Sequence, residues 1–207
     1  MGLDKKYRGY RSFSYLEAGT DYKSFELADE LGRVPPYSLP LDDEEEARVR
    51  GLARRLPFVS MHEHLGVFPS RIEETPEYAR HGRMTTAFEG LAASYWDCVF
   101  DNLMDGICTI HSSSGWQWDD VLHDLGMRLC DLAHQDFVLH CLRADDVQRA
   151  HDEGRVAWVA TMEGAAMIEH ELDRERLAHD ERAVGLERGD VLRDLREAHG
   201  LDSNIAV

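Results

Sequence analysis

Long apolar runs are missing from this sequence. A membrane-spanning helix needs about 20 consecutive apolar residues, and no stretch approaches that length. Residues 1–13 are charged and aromatic and lack the apolar segment of a secretory signal. We therefore expect a cytoplasmic protein without a membrane anchor.

Positive charge is also scarce. The chain has 23 lysine and arginine residues against 40 aspartate and glutamate residues, a formal net charge of −17. A surface of this sign repels phosphate backbones and anionic lipid headgroups. Nucleic acids and membranes are therefore not expected among its partners.

Cysteine is sparse, and several motifs that carry catalysis or bind nucleotides do not occur. The four cysteines form no C-x-x-C pair and lie in apolar stretches, so we expect reduced, buried thiols and no zinc–cysteine site. They are Cys98, Cys108, Cys130 and Cys141. The sequence has no G-x-S-x-G, no P-loop and no G-x-G-x-x-G, which argues against a serine hydrolase elbow and a dinucleotide site.

The residues that are present indicate a folded α/β protein. Hydrophobic residues make up 43% and charged residues 30% of the chain, a balance typical of globular domains. The pattern divides it into a polar lead-in at 1–55, a central region at 56–174 and a charged helical tail at 175–207. In the central region short apolar runs alternate with helical spacing, which predicts βαβ units and a parallel sheet.

The individual elements follow from hydrophobic periodicity. Strands are predicted at 58–62, 107–110, 137–142 and 156–162. Helices are predicted at 42–52, 85–104, 119–135 and 144–153, and a charged loop at 71–83. Asp97 and Asp101, four residues apart, fall within the second helix, where we expect a solvated face instead of a catalytic pair.

The first strand ends in a His-x-His motif. Strand side chains alternate between two faces, so His62 and His64 point the same way and Glu63 points the opposite way. Two neutral imidazoles at this spacing can hold one cation such as zinc. The end of a strand is also where α/β barrels place their active sites. Taken alone, however, such a pair is more often two surface or core histidines.

A carboxylate occupies the equivalent place after a later strand. Glu163 follows the apolar run 156–162, where a buried carboxylate is costly unless it is paired or metal-bound. The alternative is an N-cap or first-turn acid of the helix that follows, stabilised by the helix dipole. Together with His62 and His64, Glu163 predicts the beginning of a dinuclear site, in which metals activate a water molecule and polarise a carbonyl.

Several ordered stretches resemble one family, the membrane dipeptidase (renal dipeptidase, peptidase M19) family of the amidohydrolase superfamily. The resemblance covers roughly residues 56–174. The stretches that carry it are Ser60–His64, Trp96–Asn102, Ser114–Asp120, Asp124–Leu129, Ala150–Ala157, Met162–Ala165 and Glu171–Arg174.

The resemblance implies a TIM-like (β/α) barrel, two Zn²⁺ ions, cleavage of dipeptides and a possible homodimer. It implies that His62 and His64 are ligands from the first strand, and that Glu163 is the carboxylate that bridges both metals and takes part in catalysis. One departure concerns the motif, because the family has His-x-Asp where this chain has His64. This departure leaves open a hydrolase that acts on a non-peptide amide or a lactone.

A second departure concerns length. A (β/α)8 barrel takes about 250 residues, so we expect only about its first half here, and the two further metal-binding histidines of the family are absent. The later histidines, His170, His179 and His199, follow no apolar strand and are expected at the surface. We therefore expect that the isolated chain is inactive without the missing half. The alternative is a truncated or degenerate fragment that is not catalytic and binds one metal weakly.

Overall fold

The computed structural model describes residues 5–103 and 118–162 of the chain. These residues form a mixed α/β fold built on a four-stranded parallel sheet. The strands are β1 Val59–Glu63, β2 Gly66–Val67, β3 Thr85–Thr86, β4 Cys98–Leu103, β5 Val138–His140 and β6 Val156–Met162. The helices are α1 Asp43–Ala53, α2 Thr75–His81, α3 Phe88–Ala93, α4 Trp118–Leu132 and α5 Ala144–Glu153, with a 3-10 turn at Ile72–Glu74.

The main sheet has the order β1-β4-β6-β5, and every neighbouring pair is parallel. The parallel sheet predicted from the sequence is therefore confirmed. All four strands present their carboxyl ends at one edge. The order is not consecutive, because β6 lies between β4 and β5. A barrel of successive βα units would place β5 beside β4, so the sheet establishes a parallel α/β architecture and the barrel remains a prediction.

Local sequence explains why the last helix and strand form as they do. Helix α5 ends at Gly154, whose φ of 67° is left-handed, a conformation that glycine adopts at little cost. The chain then enters β6, an apolar run that hydrogen-bonds to a strand on each side. The helix predicted at 144–153 and the strand predicted at 156–162 are both confirmed.

The polar lead-in packs against the core over its first part. Phe13 is 2% exposed, and its backbone N–H donates to Asp131 Oδ1 at 2.8 Å. The hydroxyl of Tyr10 donates to the same oxygen at 2.7 Å. The Asp131 carboxylate on α4 thus holds residues 10–13 in place, and burial together with this carboxylate raises the pKa of Tyr10.

The helix predicted at 85–104 is wrong over its second half. Helix α3 ends at Ala93, and Cys98–Leu103 is strand β4, which pairs with β1 and β6. Short apolar runs fit both periodicities, and here the sheet partners decide. The expected solvated face is wrong as well, since Asp97 and Asp101 are 2% and 0% exposed.

The charged loop predicted at 71–83 is also wrong. It contains the 3-10 turn and α2, which has a proline in its first turn, a position where proline is well tolerated. Tyr78 is 3% exposed and donates its hydroxyl to the carbonyl oxygen of Arg83 at 2.7 Å. Burial of this one aromatic residue fixes α2 against the fold, an effect that periodicity over a charged segment does not reveal.

The thiols differ in exposure. Cys98 is buried as predicted, whereas Cys130 is exposed, so the expectation of a buried thiol is wrong there because its side chain lies on the solvent face of α4. Cys98, Cys130 and Cys141 are all free. Cys108, Glu163, the strand predicted at 107–110 and the tail at 175–207 lie outside the described residues.

The α-helices of the described residues have 6 to 15 residues each. Across 5–103 and 118–162, none of them combines the length and apolar character that a membrane-spanning helix requires. The compartment expected from the sequence stays a prediction.

Candidate metal centre

The two histidines of the His-x-His motif converge at the carboxyl end of β1. His62 Nε2 and His64 Nε2 are 3.0 Å apart, and both side chains are exposed. Glu63 instead accepts a hydrogen bond from the Ser60 hydroxyl at 2.6 Å. The i, i+2 spacing thus brings the two imidazoles together, and the register shift between Ser60 and Glu63 accompanies the contact of the Glu63 carboxylate with Ser60.

The spacing of the two nitrogens suits a shared cation. Nitrogens that each lie about 2.05 Å from a tetrahedral zinc are about 3.3 Å apart, close to the 3.0 Å between His62 and His64. Within 5–103 and 118–162, no group of three or more histidine, cysteine, aspartate or glutamate side chains could hold a metal. The two nitrogens therefore fit zinc as a partial ligand set, and further ligands have to come from outside the described ranges. Glu163, the third predicted ligand, is one of the residues that are not described.

Two polar side chains on neighbouring strands continue a hydrogen-bond network that begins at His62. The amide of Asn102 on β4 lies 3.2 Å from His62 Nδ1, and its other amide atom lies 3.2 Å from Thr161 Oγ1 on β6. Asn102 is 3% exposed and pairs in register with Thr161. Sequence reasoning did not single out Asn102, because its contact with His62 joins residues that are 40 positions apart.

A buried carboxylate supports the loop that carries His64. Asp101 Oδ1 accepts the backbone N–H of Leu65 at 3.0 Å. Its Oδ2 accepts the indole N–H of Trp158 at 2.8 Å and lies 3.3 Å from Arg128 Nη1. Since Leu65 follows His64 directly, the Asp101–Arg128 pair ties the loop after β1 to β4, β6 and α4.

A second buried carboxylate closes the opposite edge of the sheet. Asp97, just before β4, accepts hydrogen bonds from Lys5 Nζ at 2.7 Å and from the Phe58 N–H at 3.0 Å. The ring nitrogen Nδ1 of His151 lies 3.0 Å from Asp97 Oδ2, the oxygen that also accepts the Phe58 N–H, whereas Lys5 Nζ donates to Oδ1. The side chains of Lys5, Asp97 and His151 are 4%, 3% and 8% exposed. This cluster joins residue 5, β4 and α5, and its side chains are largely shielded from solvent.

A cleft of about 380 Å³ lies elsewhere, between the lead-in and the antiparallel pair of short strands β2 and β3. Its walls include Arg11 and Lys23 from the lead-in and Arg83, Glu30 and Glu89 from both sides. Neither His62 nor His64 lines it. We place the candidate site at the histidine pair, because that is where potential metal ligands converge.

Comparison with known proteins leaves the chain without an assigned family. No family model matches it, and neither the curated proteins nor the solved structures give a match. Function therefore has to be argued from the site itself.

Proposed function

We propose that this chain is part of a zinc-dependent hydrolase of the membrane dipeptidase type and that His62 and His64 bind its metal. The observation that carries the proposal is the 3.0 Å separation of their Nε2 atoms at the carboxyl edge of a parallel sheet. The exposed imidazoles lie at the carboxyl edge, where parallel α/β folds place their binding sites. A dipeptide or another small amide is the proposed substrate.

The proposed ligand set is completed by Glu163. It directly follows Met162, the last residue of β6, and β6 shares its carboxyl edge with β1. When bound, zinc would supply a Lewis acid that polarises a carbonyl and lowers the pKa of a water molecule. The chain's own residues hold the site, since His62 and His64 supply nitrogen donors and Asp101 anchors the backbone at Leu65.

The proposed fold is part of a (β/α) barrel, and the family resemblance adds a homodimer as the proposed assembly. The parallel sheet with helices between its strands supports this. The position of β6 between β4 and β5 departs from the order of successive barrel strands. The proposal therefore depends more on the pair of histidines, His62 and His64, than on the order of the strands.

Two other functions have specific observations in their favour. The described residues provide two nitrogen donors and no third ligand, which favours a non-catalytic fragment that binds one metal weakly. His64, in place of the aspartate of the resembled family, favours a hydrolase of non-peptide amides or lactones. Both alternatives keep His62 and His64 together, so substrate turnover and zinc stoichiometry distinguish them.

The test is zinc binding and dipeptide hydrolysis by the full chain. We expect zinc affinity to fall about 100-fold or more in His62→Gln, because one of two described donors is lost. His81→Gln is the matched control, since His81 is an exposed histidine on α2, and its zinc affinity should equal that of the original chain.

Each outcome decides between the functions. Two zinc ions per chain with dipeptide turnover support the dipeptidase, and turnover of lactones or non-peptide amides alone supports the second alternative. A single weakly held zinc without turnover supports the fragment. Equal zinc affinity of His62→Gln and His81→Gln would contradict the metal site itself.

A further inference from the structure

The network behind His62 contains an amide whose orientation decides which nitrogen of the histidine carries its proton. The side-chain amide of Asn102 contacts His62 Nδ1 at 3.2 Å on one side and Thr161 Oγ1 at 3.2 Å on the other. Thr161 Oγ1 also lies 3.1 Å from the carbonyl oxygen of Asp101. The nitrogen and oxygen of an amide have nearly the same shape, so the hydrogen-bond network has to assign them.

With the amide nitrogen toward His62, the network has too few donors. The Thr161 hydroxyl has one proton, yet it would face two acceptors, Asn102 Oδ1 and the carbonyl oxygen of Asp101. The remaining contact of that nitrogen, to the Glu63 carbonyl oxygen, is 3.4 Å, longer than an ordinary N–H···O bond.

With the amide oxygen toward His62, each contact has one donor and one acceptor. His62 Nδ1–H donates to Asn102 Oδ1, and the Asn102 nitrogen donates to Thr161 Oγ1. The Thr161 hydroxyl then donates to the Asp101 carbonyl oxygen. All three bonds are 3.1–3.2 Å long, and only the 3.4 Å contact with Glu63 is given up.

We infer that Asn102 is a positioning residue, whose amide oxygen holds the proton of His62 on Nδ1 and so directs the lone pair of Nε2 toward His64. This inference rests on the proposed metal site, because a neutral histidine binds a metal through the nitrogen that carries no proton. In the metal-free chain the 3.0 Å contact is then a hydrogen bond from His64 Nε2–H to His62 Nε2. A cation held by both Nε2 atoms would require the proton on His64 Nε2 to be released, while the bond at His62 Nδ1 would be retained.

The experiment reads the tautomer of His62 by nitrogen NMR on histidine-labelled full chain, at about pH 8.5 where an ordinary imidazole is neutral. The signals of His62 are those that disappear in His62→Gln. We expect the Nδ1–H form in the original chain. Asn102→Asp should retain it, because a carboxylate only accepts hydrogen bonds, and Asn102→Leu should lose it.

Zinc affinity is measured on the same variants. Removal of a partner that orients a metal-binding histidine typically costs about 10–100-fold in affinity, and we expect a loss in this range for Asn102→Leu. Asn102→Asp should bind zinc at least as well as the original chain. Because Asn102 is buried, the unfolding midpoint of each variant is measured as well, and the tautomer of the original chain remains decisive if Asn102→Leu does not fold.

The outcomes separate this inference from the proposed function. An Nε2–H form of His62 in the original chain, or a change of tautomer in Asn102→Asp, overturns the role of Asn102 even if zinc binds. An Nδ1–H form that is lost in Asn102→Leu, in a chain that binds no zinc, supports the role of Asn102 and overturns the metal site. If the original chain binds zinc, an affinity that is unaffected by Asn102→Leu also overturns the inference.

Discussion

At the amino-terminal edge of the parallel sheet the carboxylate of Asp97 is enclosed by Lys5, His151 and the backbone of Phe58, whereas at the carboxyl-terminal edge the imidazoles of His62 and His64 are exposed. Both edges contain histidine beside other polar groups. They differ in exposure, because the Asp97 and His151 side chains are 3% and 8% exposed whereas His62 and His64 are exposed. His151 has acceptors near both ring nitrogens, Asp97 Oδ2 at 3.0 Å and the Arg54 carbonyl oxygen at 3.2 Å.

The comparison shows histidine in two settings, within a buried polar cluster at one edge and exposed to solvent at the other. A polar cluster that closes on itself inside the protein contributes to stability, because any removed partner leaves a buried group unsatisfied. A pair of exposed imidazoles loses less when one partner is removed, because water can replace that partner. In parallel α/β folds the carboxyl edge is also where loops form binding sites. The predictions below test whether the Asp97 cluster at the amino-terminal edge, called the closed edge, determines stability while the histidines at the carboxyl-terminal edge determine zinc binding.

The largest effect is expected at the closed edge. Asp97→Ala should lower the free energy of unfolding by about 3–5 kcal/mol, because Lys5 is left as a buried charge without its counter-charge. Urea denaturation measures it. Asp136→Ala, which removes an exposed 3.7 Å ion pair with Lys6, is the control and should cost at most about 1 kcal/mol. Zinc affinity of folded Asp97→Ala should equal that of the original chain, and a parallel loss of zinc binding would contradict the separation of the two edges.

A smaller effect, on both stability and zinc affinity, is expected for Asp101, the buried carboxylate that supports the loop carrying His64. Asp101→Asn keeps the shape but removes the charge that faces Arg128, and it turns one acceptor oxygen into a donor. We expect a loss of about 1–3 kcal/mol in the free energy of unfolding. Zinc affinity should also fall, because the backbone at Leu65, next to His64, loses part of its support. Stability that falls without any change in zinc affinity would show that Asp101 does not support the site.

The smallest effect concerns thiol chemistry. Burial raises the pKa of Cys98, next to Asp97, from 9.0 to about 12. The folded state therefore favours the protonated thiol, so this contribution to stability is complete below about pH 9 and is lost as the pH rises toward 12. At pH 8 an alkylating reagent should modify exposed Cys130 and leave Cys98 unmodified, as located by peptide mass analysis. Modification of Cys98 at the rate of Cys130 would show that the closed edge opens readily.

Much of the architecture was predictable from periodicity. The apolar run at 156–162, with a polar helix and Gly154 before it, predicts a buried strand, and β6 is that strand. The segment around 98–103 was not predictable in the same way. Its apolar residues fit a helix as well as a strand, and only hydrogen bonds to β1 and β6 select the strand.

The candidate site likewise has features that the sequence predicts and features that it does not predict. The i, i+2 spacing of His62 and His64 follows from the sequence, because a strand places such side chains on one face. The roles of Asn102, Asp101 and Arg128 depend on contacts across strands and helices, which local patterns do not encode.

The sequence by itself determined a negatively charged α/β chain with a parallel sheet and two histidines on the same side of a strand end. Only the tertiary structure decided that β4 lies beside β1, which brings Asn102 to His62 and Asp101 to Leu65. It also decided that Asp97 is buried and enclosed by its partners. The physical reason is that spacing along a chain sets which face a side chain takes, whereas hydrogen-bond partners come from residues that only folding brings near.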